Sequence, residues 1–144
     1  MASTLSTHYN DVVYKATDSV SAKPDFSILI YPVISMENGI THQGSRTNLL
    51  GSSLSIEMIN NFSNEKKIDA STPKTFIVHA TDDQSVPVEN SINYYLELKK
   101  NKISAEMHLY EKGGHGFGTG KQNLPVDSWE TRFEDWLKLQ GFLN

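Results

Sequence analysis

The chain of 144 residues reads as an α/β domain, a parallel sheet with flanking helices. Three observations predict this. Two short apolar runs, over 26–31 and 75–80, are continuous and β-branched rather than alternating, as strands buried in a parallel sheet are. Segments of helical periodicity alternate with such runs, the pattern that gives right-handed crossovers. Finally, a glycine-flanked histidine, Gly113-Gly114-His115-Gly116-Phe117, follows a third strand-like run, and open α/β sheets keep their chemistry past the ends of strands.

Taken in order, residues 2–9 have helical composition with no N-cap before them and read as the tail of a helix. Residues 11–23 are polar and irregular, and Lys23-Pro24-Asp25 punctuates them ahead of the first strand, which is expected to be buried on both faces and which Pro32 ends. From 35 to 71 no strand pattern occurs. Turn signals stand at Asn38-Gly39 and at Gly44, and Ile56, Ile59 and Phe62 at helical spacing predict one helix around 55–61. A crossover helix between parallel strands takes only about a dozen residues. This stretch is about three times that, so it is expected to form a helical cap over one end of the sheet.

After Thr72-Pro73 the second strand delivers Thr81-Asp82-Asp83-Gln84-Ser85 to its carboxyl end. Pro87 suits the first turn of a helix whose predicted apolar face is Val88, Ile92, Tyr95 and Leu96, and whose end is marked by Lys99, Lys100 and Asn101. Ala105–Tyr110 alternates apolar and polar residues, which predicts a half-exposed strand near an edge. Pro125 opens a last helix with Trp129, Phe133, Trp136 and Leu137 on one face, and Gly141 ends it. No internal repeat or low-complexity tract is visible.

Composition narrows the function. At 38 % hydrophobic the chain suffices for one domain with a real core. With no cysteine there are no disulfides, thiolate metal sites or cysteine nucleophile. A net charge of −4 without a basic stripe argues against nucleic acid as a partner. Apolar runs fall far short of the roughly 20 residues a bilayer requires, which argues against a membrane. Met1-Ala2-Ser3-Thr4 has neither a basic nor an apolar region of a signal peptide. Taken literally that implies a cytoplasmic protein, but Met1 is not expected to be the native start, and the compartment stays open.

Two polar clusters therefore stand at the carboxyl ends of consecutive strands: the aspartates at 82 and 83, and His115. Parallel neighbours lie about 5 Å apart, so loops at the same end bring a carboxylate to a ring nitrogen. An Asp that accepts the Nδ1 proton fixes the tautomer and leaves Nε2 as a general base. Such a pair lacks only a nucleophile.

His79-Ala80-Thr81-Asp82-Asp83-Gln84-Ser85-Val86-Pro87, followed by the glycine-flanked His115, resembles the second half of an α/β-hydrolase. The likeness is to the esterase branch that includes acetyl esterases and acetylxylan-esterase-like proteins, with peptidases of the prolyl-oligopeptidase type more distant. Tyr31-Pro32-Val33-Ile34 resembles the end of the strand that follows the nucleophile helix in that branch. The triad of that family runs Ser, Asp, His along the chain, with the acid three residues before the Val of an Asp-x-x-Val-Pro turn. Carried over, that rule selects Asp83, leaves Asp82 to cap the turn, and makes His115 the base.

The chain departs from the family in two respects that bear on activity. It contains no Gly-x-Ser-x-Gly; the nearest approach, Gly51-Ser52-Ser53-Leu54-Ser55, lacks the second glycine, and no His-Gly-Gly oxyanion loop occurs. The resemblance implies that the elbow serine lies before Met1. Residues 1–144 are thus expected to be a partial, C-terminal α/β-hydrolase domain with a cap-like insertion over 35–71, inactive alone because the nucleophile is missing.

Duller readings suit the other candidates. His79 is expected to be a packed residue, His42 part of the cap, and His8 and His108 surface or edge positions; none has zinc-ligand spacing. Trp129 and Trp136 are expected core anchors, and core packing is the default for Phe62 and Phe117, either of which could line an acyl or alcohol pocket. The expected function of the intact parent is serine carboxylic-ester hydrolysis without a cofactor, on a small-molecule or carbohydrate ester, with acetylated sugars preferred on likeness. The alternatives are a peptidase or lactone hydrolase of the same fold, or a noncatalytic α/β binding domain. A strand over 26–31 left with an open edge is also expected to promote homo-oligomers.

Overall fold

The computed structural model describes residues 1–11, 20–52 and 54–144. Most of the polar stretch after the first helix, and Ser53 of the Gly51–Ser55 near-motif, lie outside them. The elements run α1 (Ala2–His8), β1 (Phe26–Ile30), α2 (Gln43–Leu50), α3 (Ile56–Phe62), β2 (Lys74–Ala80), α4 (Glu89–Lys100), β3 (Ala105–Tyr110) and α5 (Trp129–Leu139), with 3-10 turns at Asn64–Lys67 and Pro125–Ser128. As expected, the sheet is parallel. β2 lies between β1 and β3, with Ile30 opposite Val78 and Ala80 opposite Tyr110, so the three carboxyl ends lie together. Among the described residues no helix is long and apolar enough to cross a membrane.

Alternation along β2 divides the core in two. Phe76, Val78 and Ala80 pack with Phe117, Val126, Trp129 and Trp136 on the α5 side, whereas Ile77 packs with Leu29, Ile34, Tyr94 and Leu98 on the α4 side. Trp136 meets Phe26 edge-on at 5.7 Å and Phe76 at 5.8 Å between ring centroids, the offset geometry aromatic pairs favour. The tryptophans are thus the core anchors that their spacing suggests. β3 is an edge strand, partly exposed along its length, as its alternation predicts.

Three expectations are corrected. First, β1 is not buried on both faces: Ser27 and Leu29 are buried, but Phe26, Ile28 and Ile30 remain partly exposed, because among the described residues β1 pairs with β2 on one side only. Second, α2 forms where only turns are expected. Gly44 sits inside its first turn, the His42 side chain accepts from Ser45 N in place of a usual N-cap residue, and Gly51, with φ 75°, ends the helix. Third, the buried face of α4 is Asn90, Ser91, Tyr94 and Leu98, while Leu96 is 52 % exposed. Two polar residues hold the inward positions because each makes a specific bond across the fold.

Asn90 shows what such a bond does. Its Oδ1 accepts from Ile34 N and Ser35 N, both at 2.9 Å, and its Nδ2 donates to the carbonyls of Ile40 and Pro87. One side chain thus satisfies two buried donors where the chain leaves β1 and turns into the long connection, and fixes them to α4. At the other end of that connection Asn64 donates to Ser3 Oγ and Thr4 Oγ1, which ties α1 to the 3-10 turn, and Ser6 and Ser27 are hydrogen-bonded between α1 and β1. Asn90→Ala would leave the Ile34 and Ser35 N–H groups buried without acceptors. The expected cost is about 2–4 kcal/mol of unfolding free energy, read from urea denaturation; a loss below about 0.5 kcal/mol would mean that water replaces the amide.

Candidate active site

The turn after β2 is built around Asp83. Its backbone N–H returns to Ala80 O, and its Oδ1 accepts from the N–H groups of Ser85 (2.8 Å) and Val86 (2.9 Å). This is the local self-bonding that makes Asp a turn residue. Val86, buried in the core, anchors the far side of the turn. Asp83 Oδ2 lies 2.8 Å from His115 Nδ1. A carboxylate only accepts, so His115 donates there, and in the neutral ring the lone pair is on Nε2. The Asp83 side chain is fully buried, whereas that of His115 is 36 % exposed.

The loop that carries His115 is held against the Asp83 turn by backbone as much as by side chains. Gly113 passes so close to the core that a Cβ there would stand 3.1 Å from Ala80 Cβ and 3.2 Å from Val126 Cγ2. Gly114 then takes φ 64°, which L side chains disfavour, and turns its N–H onto Asp82 Oδ1 at 2.8 Å. Asp82 therefore does not cap its own turn, as expected from sequence, but ties the two loops together. Thr81 N and Oγ1 add bonds to Tyr110 O, and Trp129 Nε1 donates to Gly118 O at 2.7 Å.

Two further residues belong to this cluster that sequence reasoning does not place there. Tyr31, at the end of β1, has φ 39°, a left-handed value that is costly for a bulky residue. Its N–H donates to Val78 O, and its ring lies 4.7 Å from both His115 and Phe117. Its only sequence signal is a tyrosine before proline at a strand's carboxyl end. His79 is buried as expected, but it is not mere packing: its Nε2 lies 3.1 Å from Asp83 Oδ2. The remaining histidines stay elsewhere. His42 caps α2, His8 stacks on Phe62, and His108 pairs with Glu106 on β3.

A groove of about 860 Å³ opens beside α1, lined among others by Met1, Leu5, Val33, Met36, Leu49 and Phe62. Neither Asp83 nor His115 lines it. Phe62 is thus a groove wall rather than a core residue, whereas Phe117 is buried in the core.

Burial pushes the Asp83 carboxyl up, but the Val86 N–H, the His115 ring and the Ser85 N–H together outweigh it and hold the group below its ordinary value. A carboxylate held low stabilises the fold above the aspartate range of the unfolded chain, and loses that contribution as pH falls through its folded value. In urea unfolding between about pH 6 and pH 2 the wild-type chain should therefore lose stability on acidification. Asp83→Asn, which cannot titrate, should start lower and lose less; parallel curves would mean that Asp83 is not held low.

A model of the prolyl oligopeptidase family matches residues 30–140. An acetylxylan esterase of Xylanibacter ruminicola is 35 % identical over 120 residues, covering 81 % of this chain and 25 % of that protein. An endo-1,4-β-xylanase B of Butyrivibrio fibrisolvens is 36 % identical over 114 residues, covering 78 % of this chain and 18 % of that one. The crystal structure of an acetyl ester-xyloside bifunctional hydrolase from Caldicellulosiruptor lactoaceticus superposes on 99 % of this chain with a TM-score of 0.92 and 36 % identity, and this chain covers 53 % of it. The chain thus spans a quarter or less of those two sequences and about half of the solved structure. With its parallel sheet and its aligned strand ends, the chain belongs to the prolyl oligopeptidase family and has an α/β-hydrolase fold.

Proposed function

We propose that this chain supplies the acid and base of a serine carboxylic-ester hydrolase acting on acetylated sugars, with Asp83 as the acid and His115 as the base. The observation that carries the reading is the 2.8 Å bond from His115 Nδ1 to a fully buried Asp83 carboxylate. Support for the substrate comes from the relatives, one an acetylxylan esterase and another an acetyl ester-xyloside hydrolase. No Gly-x-Ser-x-Gly occurs in the 144 residues, so the serine would come from a portion of the enzyme outside them.

In this scheme the serine Oγ attacks the acetyl carbonyl while His115 Nε2 takes its proton, and Asp83 stabilises the imidazolium. The proton passes to the departing sugar oxygen as the C–O bond breaks, leaving an acetyl-enzyme. Water then attacks, again giving its proton to His115, and acetate leaves as the serine is restored. Residues 35–71 would form a cap that shapes the acyl or alcohol pocket.

The family's name favours one alternative, a peptidase on the same fold. The free edge of β1, which among the described residues pairs only with β2, supports self-association of the chain by itself.

Three experiments test these readings. In an enzyme joining this chain to its serine-bearing portion, acetate release from acetylated xylo-oligosaccharides should fall in kcat about 10⁶-fold for His115→Ala and about 10⁴-fold for Asp83→Asn. Peptide cleavage without acetate release would favour the peptidase, and p-nitrophenyl acetate turnover by the 144 residues alone that vanishes in His115→Ala would place the serine within them. Gel filtration with light scattering of the chain alone should show dimers or larger species, and a clean monomer would remove the proposed role of the β1 edge.

A further inference from the structure

The reaction scheme leaves one buried imidazole without a task. His79 lies on the α4-facing side of β2, fully buried. Its Nε2 faces two oxygens, Asp83 Oδ2 and the Val86 carbonyl, each at 3.1 Å, and its Nδ1 lies 2.8 Å from Ser91 Oγ on α4. A carboxylate and a carbonyl can only accept, so Nε2 carries the proton. Burial holds the ring below the ordinary histidine range, with Asp83 offsetting only part of that. A neutral ring protonated at Nε2 has its lone pair on Nδ1, where it accepts the Ser91 hydroxyl proton. The opposite tautomer would turn a lone pair on two oxygens.

The carboxylate gains from this a second donor on Oδ2, beside His115. The amides of Ser85 and Val86 both bind Oδ1. Without His79, Oδ2 would be fixed only by His115, the more exposed partner, and the carboxylate torsion of Asp is intrinsically broad. The titratable groups facing His79 are Asp83 from the following turn and His115 beyond that carboxylate; α4 contributes the uncharged Ser91, and β3 sets Leu109 alongside in the ladder.

We propose that His79, locked in its Nε2–H tautomer by the Asp83 and Val86 oxygens, is a positioning residue that holds Asp83 Oδ2 toward His115 Nδ1. The proposal rests on the reading of Asp83 and His115 as acid and base, but its test requires no ester turnover, so the two can fail separately.

Long-range ¹H–¹⁵N NMR of the 144-residue chain should show His79 protonated at Nε2 alone, with no titration between about pH 5 and pH 8. A proton on Nδ1, or titration in that range, would overturn the lock. Ser91→Ala should leave His79 protonated at Nε2, because the Asp83 and Val86 oxygens still only accept there; a proton moved to Nδ1 in that variant would overturn their role in fixing the tautomer. ¹³C titration of the Asp83 carboxyl should move upward by about half a pH unit in His79→Phe, because a donor to the charged form is lost. In His79→Gln, which keeps an amide N–H near the ε position, it should stay close to wild type. Equal midpoints in the wild-type chain and both His79 variants would reduce His79 to packing.

Discussion

Four N–H groups converge on the Asp83 carboxylate: two from its own turn, one from the end of β2 and one from the loop after β3. A charge taken fully out of water costs several kcal/mol unless its lone pairs are matched. The donors are what make a buried aspartate tolerable at this position, and they come from segments that only the folded sheet brings together. Placing them requires β2 and β3 in register, a glycine at 113 so that the second loop can approach Ala80, and a left-handed turn at Gly114. The chemistry of the strand ends and the stability of this corner are therefore one problem for the sequence.

What is legible in the sequence is what apolar residues and turn chemistry carry alone. β2 shows as a continuous apolar run, α5 as a stripe containing Trp129 and Trp136, and the Asp83 and His115 loops as motifs at strand ends. The inward face of α4 escapes the pattern because Asn90 and Ser91, two of its inward residues, are polar. They face inward to reach Ile34, Ser35 and His79, and those partners are remote or lie on other elements. α2 is hidden because Gly44 reads as a turn and a histidine serves as its cap. At the site, a one-dimensional pattern shows which residue types are present but not which nitrogen meets which oxygen. Asp82 next to Asp83 looks like a capping residue until Gly114 N is seen on it, and His79 looks like strand core until its ring is seen between Asp83 and Ser91.

The pair is graded in exposure, with the carboxylate sealed and the imidazole more than a third open. In the proposed reading, that gradient suits a base that exchanges protons with a group outside the fold while its positive form is stabilised from within. A fully buried histidine in the same position would resist protonation, as His79 does, because desolvation disfavours the imidazolium. Two histidines thus share one oxygen from opposite settings, the ring of His79 sealed in the core and that of His115 open.

Tyr31 completes this division. A non-glycine residue at φ 39° is held there only if its surroundings over-determine it. Here the N–H is bound to Val78 O and the ring packs against both Phe117 and His115. Of these two neighbours Phe117 belongs to the core and His115 is partly exposed, so the Tyr31 ring is anchored on its buried side and borders the imidazole on the other. The ring that bounds His115 is therefore set by the end of β1 together with Phe117, two residues beyond the histidine. All three strands thus shape the imidazole's surroundings: β1 through its wall, β2 through its carboxylate, and β3 through the glycine loop that carries it.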